Sequence, residues 1–191
     1  MFRFLDYIFC RACRLFRTLG FGVQSPFAYH FIRKVIKGHD SASISILRKR
    51  DDLEIVSKQI KILANFYYRF SHFLQVSVWY LSPDLFPIYS QFIKEGCSHT
   101  QVECLSSALT TFSVAHISDK DDYLKVCDRL LEIANSHSVL IFEGIHKDVD
   151  IFLFWKRLVK DSRTFVSFDL YYCGVVFFDK KMYKRNYKVN L

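Results

Sequence analysis

The sequence predicts a three-layer α/β protein whose mainly parallel sheet ends in an antiparallel hairpin and whose first segments are helical. Residues 139–142 are four consecutive apolar residues, which suits a strand buried on both faces, as in a parallel sheet. A helix with Asp148 as its cap follows, and its apolar stripe fits a crossover packed on that sheet. Residues 164–170 and 174–178 are rich in β-forming residues and too close together for any connection but a hairpin.

Length and composition predict one well-buried domain of a cytoplasmic protein. The chain has 191 residues, of which 51% are hydrophobic and 17% aromatic, enough to bury a single core. We divide it into a helical arm at residues 1–40 and an α/β unit at residues 41–191. No apolar run approaches the roughly 18 residues of a membrane span, and the arginines near the N-terminus are unlike a signal peptide. The six cysteines are expected to be reduced, and the pair Cys10 and Cys13 to be ordinary helix positions.

The first segment is predicted to be a basic amphipathic helix. Over residues 2–19, Arg3, Arg14 and Arg17 lie on the face opposite the apolar stripe. Such a helix can lie on an anionic membrane surface or dock on its own domain, and we favour docking. The net charge of +8 favours acidic partners, but its lysines and arginines are concentrated at the two ends of the chain.

The remaining segments alternate between helices and strands. We expect helices over residues 25–38, 51–70 and 83–96 and after Ser118 or Asp119, and strands over residues 73–81, 101–105, 111–117 and 138–143. A Ser-Pro pair begins two of these helices and a glycine ends both. The alternation is typical of βα units in a parallel sheet.

One connection is too short for this pattern. Only residues 106–111 join the strands predicted at residues 101–105 and 111–117, whereas a parallel crossover normally takes a dozen or more residues. We therefore expect a helix to be missing here and leave open whether a strand is missing too. The sheet should be small, with one thinly covered edge.

Several stretches resemble a known family. Residues 20–32, GFGVQSPFAYHFI, resemble the opening of class I S-adenosylmethionine-dependent methyltransferase-like proteins of Bacteroidetes. Residues 138–146, SVLIFEGIH, together with residues 166–170 and 174–178, resemble the end of the same family, where a basic helix and a final short strand follow. The resemblance implies a Rossmann-like methyltransferase fold with S-adenosylmethionine over the carboxyl ends of the first strands, as is general for open α/β sheets.

The residues expected to hold that cofactor depart from the family pattern. The turn after the first strand, LSPDLFP at residues 81–87, contains no glycine, and its prolines lack amide donors. Ser82 and Asp84 occupy the place of the glycine-rich loop, where the charge of Asp84 disfavours the cofactor's carboxylate. Glu103 is the acid that the resemblance offers for the ribose hydroxyls, yet it lies inside its strand. Each feature also has a purely structural interpretation. Ser82 and Asp84 suit the start of a helix, and Glu103 suits a solvent-facing position on an edge strand. We expect no bound S-adenosylmethionine.

Three other polar residues follow strands and are candidates for binding or proton transfer. Glu143 and His146 come at the end of the central strand, and Asp119 follows the strand before it. Glu143 and His146 also suit a solvated loop, and Asp119 suits helix capping. No metal site is predicted, because neither histidines nor cysteines show ligand spacing.

These observations leave three hypotheses. The first is a degenerate methyltransferase-fold protein that acts as a binding or accessory module for an unknown small molecule or protein. The second is an active S-adenosylmethionine-dependent methyltransferase with an atypical cofactor loop. The third is a peripheral membrane or nucleic-acid binder that uses the basic ends, including Arg3, Arg14 and Arg17, and would lose affinity steeply with salt.

Overall fold

A seven-stranded sheet forms the centre of the protein. The computed structural model describes Arg14, Leu15, Thr18, Leu19, residues 22–38 and residues 57–191. The strands are β1 (Val78–Leu81), β2 (Gln101–Cys104), β3 (Val114–Ile117), β4 (Val139–Glu143), β5 (Val166–Asp169), β6 (Cys173–Phe177) and β7 (Arg185–Lys188). They lie in the order β2-β1-β3-β4-β6-β5-β7, and every neighbouring pair is parallel except the two that contain β6. The predicted mainly parallel sheet and its antiparallel hairpin, β5 with β6, are confirmed.

Helices cover both faces of this sheet. They are α1 (Pro26–Phe31), which continues as a π-helical turn (Ile32–Ile36), α2 (Lys58–Leu74), α3 (Phe86–Gly96), α4 (Tyr123–Ile133) and α5 (Val149–Lys160). The first three helices share one core with the residues on one face of the strands. The last two share a second core with the residues on the other face. The protein therefore has the Rossmann-like three-layer α/β fold that the sequence predicts.

The first strand is shorter than predicted. Helix α2 continues through Leu74, so the strand predicted over residues 73–81 is wrong in its first half. Phe73 remains helical because its ring packs against Phe31 of α1, with the ring centroids 5.8 Å apart. Gln75 then ends the helix in the left-handed conformation, and its N–H donates to the Ser71 carbonyl. Tertiary packing here overrides the β-propensity of an aromatic residue.

One of the two helix caps predicted around the central strand is correct. The carboxylate of Asp148 accepts the Ile151 N–H at 2.8 Å and begins α5 as expected. Ser118 and Asp119, however, do not cap α4, which begins at Tyr123.

The segment before α4 forms a turn instead. The Asp121 carboxylate accepts the Ser118 N–H at 2.7 Å, and the Ser118 hydroxyl accepts the Lys120 N–H at 3.2 Å. Aspartate and serine side chains readily form such local bonds outside helices. This turn carries polar side chains to the carboxyl end of β3.

The crossover from β2 to β3 contains no helix, as the length argument predicts. The expectation of a small sheet is wrong, because the sheet has seven strands. Residues 105–113 pass β1, which lies between the two strands, in turns and irregular backbone. A groove of about 280 Å³ lies between this bare crossover and α4. Strand β2 forms one edge of the sheet.

Helix α5 packs on the hairpin through Trp155. A Cβ added at Gly174 of β6 would lie 2.4 Å from Cη2 of that ring, so a side chain there would collide with it. The glycine therefore lets the helix approach the sheet closely.

The chain after the hairpin differs from what the resemblance implies. Residues 179–184 form turns, not a basic helix. The Asp179 carbonyl accepts the Met182 N–H, and the Asp179 carboxylate accepts the Lys181 N–H, which is a turn arrangement that aspartate favours. The final short strand is present as β7, parallel to β5.

The described part of the N-terminal arm docks on the domain through its polar face. Arg14 is 3% exposed and Thr18 is buried, whereas Leu15 and Leu19 are 52% and 43% exposed. The alternative hypothesis of a basic binding surface is therefore wrong for Arg14, because its guanidinium is buried against Asp169. Outside the described residues lie Arg3, Cys10, Cys13, Arg17 and the proposed domain boundary at residue 40.

Candidate functional site

A cleft opens at the carboxyl ends of β3 and β4, where ligands bind in open α/β sheets. It encloses about 410 Å³, and we call it the β4 cleft. It is lined by Gln59, Asp119, Glu143, Gly144, His146, Lys147, Tyr171 and Tyr172. The structure thus brings the three predicted candidates Asp119, Glu143 and His146 to one cavity.

Glu143 is the most buried polar residue of the cleft. It ends β4 and is 5% exposed. Its carboxylate accepts hydrogen bonds from the hydroxyls of Tyr67 and Tyr89, each at 3.2 Å, and lies 3.1 Å from Nε2 of His116. We call these four residues the Glu143 cluster. Burial, followed by the nearby charge of Glu143, raises the pKa of both tyrosines, so they remain neutral donors.

His116 is the third neighbour of Glu143. Its Nε2 faces the Glu143 carboxylate, while its fully buried Nδ1 has no partner among the described residues. A proton on Nε2 lets the ring donate to that carboxylate. Cys173 lies beside the Glu143 cluster, and burial together with the charge of Glu143 raises the pKa of its thiol.

His146 connects the cleft to the N-terminal arm. Its Nε2 lies 3.0 Å from both carboxylate oxygens of Asp169 and 3.2 Å from Nη2 of Arg14. The Arg14 guanidinium donates to Asp169 at 2.8 and 3.0 Å, in a bidentate pair. Tyr171 stacks on His146, with the ring centroids 5.0 Å apart and the planes 9° apart.

These contacts set the ionisation of Asp169. Burial would raise the pKa of its carboxyl, but the hydrogen bond from His146 and the charges of His146 and Arg14 outweigh it and hold that pKa below the usual value. Asp169 is therefore ionised at neutral pH.

Asp119 also lines the cleft. Its carboxylate pairs with the ammonium of Lys147, which raises the pKa of that lysine. Gly144, between Glu143 and these residues, has φ of +81°, and a Cβ on it would lie 2.8 Å from the Cβ of Asp119. The turn that follows β4 therefore requires glycine for both its conformation and its space.

Ser82 and Asp84 form a separate network at the end of β1. The hydroxyl of Ser82, which is fully buried, lies 2.6 Å from Oδ1 of Asp84 and 3.1 Å from Oδ1 of Asp121. Lys120 pairs with Asp84 at 3.2 Å. Burial would raise the pKa of Asp84, but the hydrogen bonds from Ser82 and Lys120 lower it overall. We call these residues, with Ser118, the Ser82 network.

The backbone at this position offers few donors to a ligand. The Ser82 N–H donates to the His116 carbonyl, and the Phe86 N–H donates to the Pro83 carbonyl. Pro83 has no N–H at all. Of the three groups, two therefore donate within the protein and the third has no hydrogen to donate.

Glu103 is not brought to either network. It is exposed within β2, opposite Tyr80 of β1, and β2 is the edge strand. Two strand spacings, about 10 Å, separate β2 from β3. The structure agrees with the simpler interpretation, that of a solvent-facing edge residue.

Sequence reasoning missed the partners that hold Glu143 and His146. Tyr67 and Tyr89 fall on apolar helical stripes, so the pattern assigns them to the core, and only their hydroxyls reveal the polar cluster. His116 carries a clearer signal, since it is polar within a strand that is otherwise wholly apolar and buried. The long-range pairing of Arg14 with Asp169 leaves no local trace in the sequence.

Comparisons with protein-family models, with curated proteins and with solved structures found no match. Within the described residues, no group of three or more histidine, cysteine or acidic side chains is arranged to hold a metal ion. None of the helices in that part of the chain is both long and apolar enough to cross a membrane. The functional assignment therefore depends on the geometry of the two strand-end regions.

Proposed function

We propose that this protein is a methyltransferase-fold binding module that does not use S-adenosylmethionine and that binds a small molecule in the β4 cleft. The observation that carries the proposal is the Ser82 network. It places the hydroxyl of Ser82 and the carboxylates of Asp84 and Asp121 at the end of β1. The resemblance implies a glycine-rich cofactor loop at this position.

The physical case concerns the cofactor's amino-acid carboxylate. Such a group needs free amide donors and a favourable charge at the turn after the first strand. Here Asp84 and Asp121 both present carboxylates, and Lys120 offsets one of them through its ion pair. The nearby N–H groups of Ser82 and Phe86 already have carbonyl partners. A carboxylate ligand would meet repulsion from Asp84 and Asp121 and would gain no hydrogen bond from the N–H groups of Ser82 and Phe86.

The β4 cleft keeps the features of a binding site. Its volume of about 410 Å³ suits a small ligand. Asp119, Glu143, His146 and Lys147 supply both signs of charge, and Tyr171 supplies an aromatic wall. Polar groups held by fixed partners at the edge of a rigid sheet recognise a ligand with little reorganisation.

Isothermal titration calorimetry with S-adenosylmethionine and with S-adenosylhomocysteine tests the proposal. We expect no saturable heat, which corresponds to a Kd weaker than about 1 mM. Circular dichroism and a cooperative thermal transition serve as the control that the titrated protein is folded. Stoichiometric binding at micromolar concentration would contradict the proposal.

An active methyltransferase is the second candidate. It is favoured by the convergence of Asp119, Glu143 and His146 on one cleft, because acid–base groups gathered at strand ends are typical of catalytic sites. Transfer of labelled methyl from S-adenosylmethionine to an acceptor in a metabolite extract would reveal it. If alanine at all three positions left such transfer unchanged, these residues would have no catalytic role.

A further inference from the structure

A second cavity, distant from the β4 cleft, is surrounded by positive charge. It encloses about 670 Å³ and we call it the basic pocket. It is lined by His30, Arg33, Lys34, Lys37, Gly38, Arg69, His72 and Phe73. None of these lining residues is acidic.

The positive charges are concentrated on one short segment. Arg33, Lys34 and Lys37 belong to or directly follow the π-helical turn after α1. Residues three and four apart on a helix lie side by side, so these cations repel one another. Within the part of the chain that the structure describes, none of the three has a carboxylate partner. An anion in the pocket would relieve this repulsion.

The opposite wall is held in place by α2. Arg69 donates its Nε to the Val35 carbonyl at 2.7 Å, which ties α2 to the π-helical turn. The rings of His30 and Phe73 approach with centroids 5.7 Å apart and form a partly aromatic wall. π-Helical turns occur frequently at functional sites, where they re-aim side chains.

We propose that the basic pocket binds a phosphate group of a small phosphorylated molecule. Several arginine and lysine side chains that converge on one concavity match the charge density and the several acceptor oxygens of phosphate. The volume lies in the range of ligand pockets and exceeds that of phosphate alone, leaving room for the rest of the molecule. A concave pocket suits a compact anion better than an extended nucleic-acid backbone.

This site is independent of the proposed function. Gln59 lines the β4 cleft and His72 lines the basic pocket, and both belong to α2. At 1.5 Å per residue, about 20 Å of helix separates them. The two cavities can therefore be tested separately.

Titration of ¹⁵N-labelled protein with inorganic pyrophosphate tests the proposal. We expect saturable amide shifts confined to residues 30–38 and 69–73. The variant Arg33→Gln/Lys34→Gln/Lys37→Gln should bind about tenfold more weakly or worse, because it loses charge-assisted contacts. A matched control, Lys125→Gln/Lys156→Gln/Lys160→Gln, removes the same charge from exposed positions on the helices that cover the other face of the sheet. It should bind within about twofold of the unmodified protein, since distant surface charges are screened.

A second measurement separates the sources of the phosphate. Sedimentation with phosphatidylcholine vesicles that contain phosphatidic acid, with and without pyrophosphate, detects binding to a lipid headgroup. Pyrophosphate binding without vesicle binding assigns a free phosphorylated molecule, and vesicle binding that pyrophosphate displaces assigns a headgroup. Both outcomes support a phosphate pocket. Shifts that do not saturate, equal weakening by the control variant, or binding of a single-stranded oligonucleotide without binding of pyrophosphate would overturn it.

Discussion

Replacing Arg14 with methionine removes the cation from the buried pair that joins the N-terminal arm to the domain. Methionine keeps an unbranched apolar stem in place of the arginine stem, so the change acts chiefly on the charge and the hydrogen bonds. Asp169 then remains ionised and buried, with side-chain exposures of 4% for Arg14 and 1% for Asp169 in the original pair. An uncompensated buried carboxylate is the cause of the expected instability.

The magnitude follows from the contacts that remain. Breaking a buried ion pair by removing one partner costs about 3–5 kcal/mol. Asp169 retains hydrogen bonds with His146 and with the Tyr171 N–H, each at 3.0 Å, which favours the lower end, about 3 kcal/mol. For a chain of this length that loss corresponds to a fall of about 6–12 °C in Tm.

Urea unfolding of Arg14→Met measures the loss, and Arg163→Met is the matched control. Arg163 also holds an aspartate, Asp161, with two short contacts of 2.8 and 2.7 Å, but the side chains are 48% and 23% exposed. The control should lose less than about 1 kcal/mol. A loss below about 1 kcal/mol for Arg14→Met, or equal losses for both variants, would refute the reasoning.

The pH dependence provides a second check. Because the folded-state pKa of Asp169 is lowered, its contribution is fully present above the unfolded-state value of about 4 and is lost as the pH falls through the folded-state pKa. The difference in free energy of unfolding between the original protein and Arg14→Met should therefore shrink below about pH 4. A difference that stays constant there would contradict the role of Asp169.

Two further substitutions and one alkylation experiment test other parts of the structure. Gly174→Ala places a methyl group 2.4 Å from the nearest Trp155 ring atom and should lower the free energy of unfolding by about 1–3 kcal/mol, measured in urea. Tyr89→Phe removes one donor to the buried carboxylate of β4 and should cost about 1–3 kcal/mol at neutral pH. Because the pKa of Tyr89 is raised, its stabilising contribution is present below about pH 10 and falls as the pH rises, so the variant should lose less stability in alkali. Exposed Cys104 should be alkylated in the folded protein, whereas buried Cys127, whose thiol pKa is raised, should react only on unfolding, as read by peptide mass spectrometry.

Each of these three has a clear contrary result. An unchanged urea midpoint for Gly174→Ala would mean that the Trp155 ring moves aside without cost. If the free energy of unfolding fell equally with rising pH in the original protein and in Tyr89→Phe, Tyr89 would not contribute to the pH dependence of stability. Equal alkylation rates for Cys104 and Cys127 would contradict the burial of the latter.

Much of the fold follows from periodicity and from chain length. The apolar run of β4, the capped helix α5 and the closely spaced hairpin define the central unit locally, so each could be predicted. The bare crossover follows from a count of residues between two strands. The start of β1 could not be predicted, because the contact of Phe73 with Phe31 that extends α2 is tertiary.

Part of the candidate site could also be predicted from the sequence, and part could not. The rule that strand ends line the cleft predicts that Asp119, Glu143 and His146 lie near one another, and the structure places them together. The tyrosine donors to Glu143 come from α2, which precedes β1 in the chain, and from α3, which follows it. They meet only because both helices pack on the same face of the sheet. Hydrogen bonds between residues so far apart in the chain have no periodic signature, so the sequence assigns Tyr67 and Tyr89 to packing alone.

The bare crossover has a further consequence for how copies of this protein meet. Strand β2 is left as a margin of the sheet, and an unpaired margin can accept a strand from another molecule. The exposed carboxylate of Glu103 projects there, so two copies that joined their sheets through β2 would bring like charges face to face. An acidic side chain at this border therefore disfavours the pairing of two copies through β2.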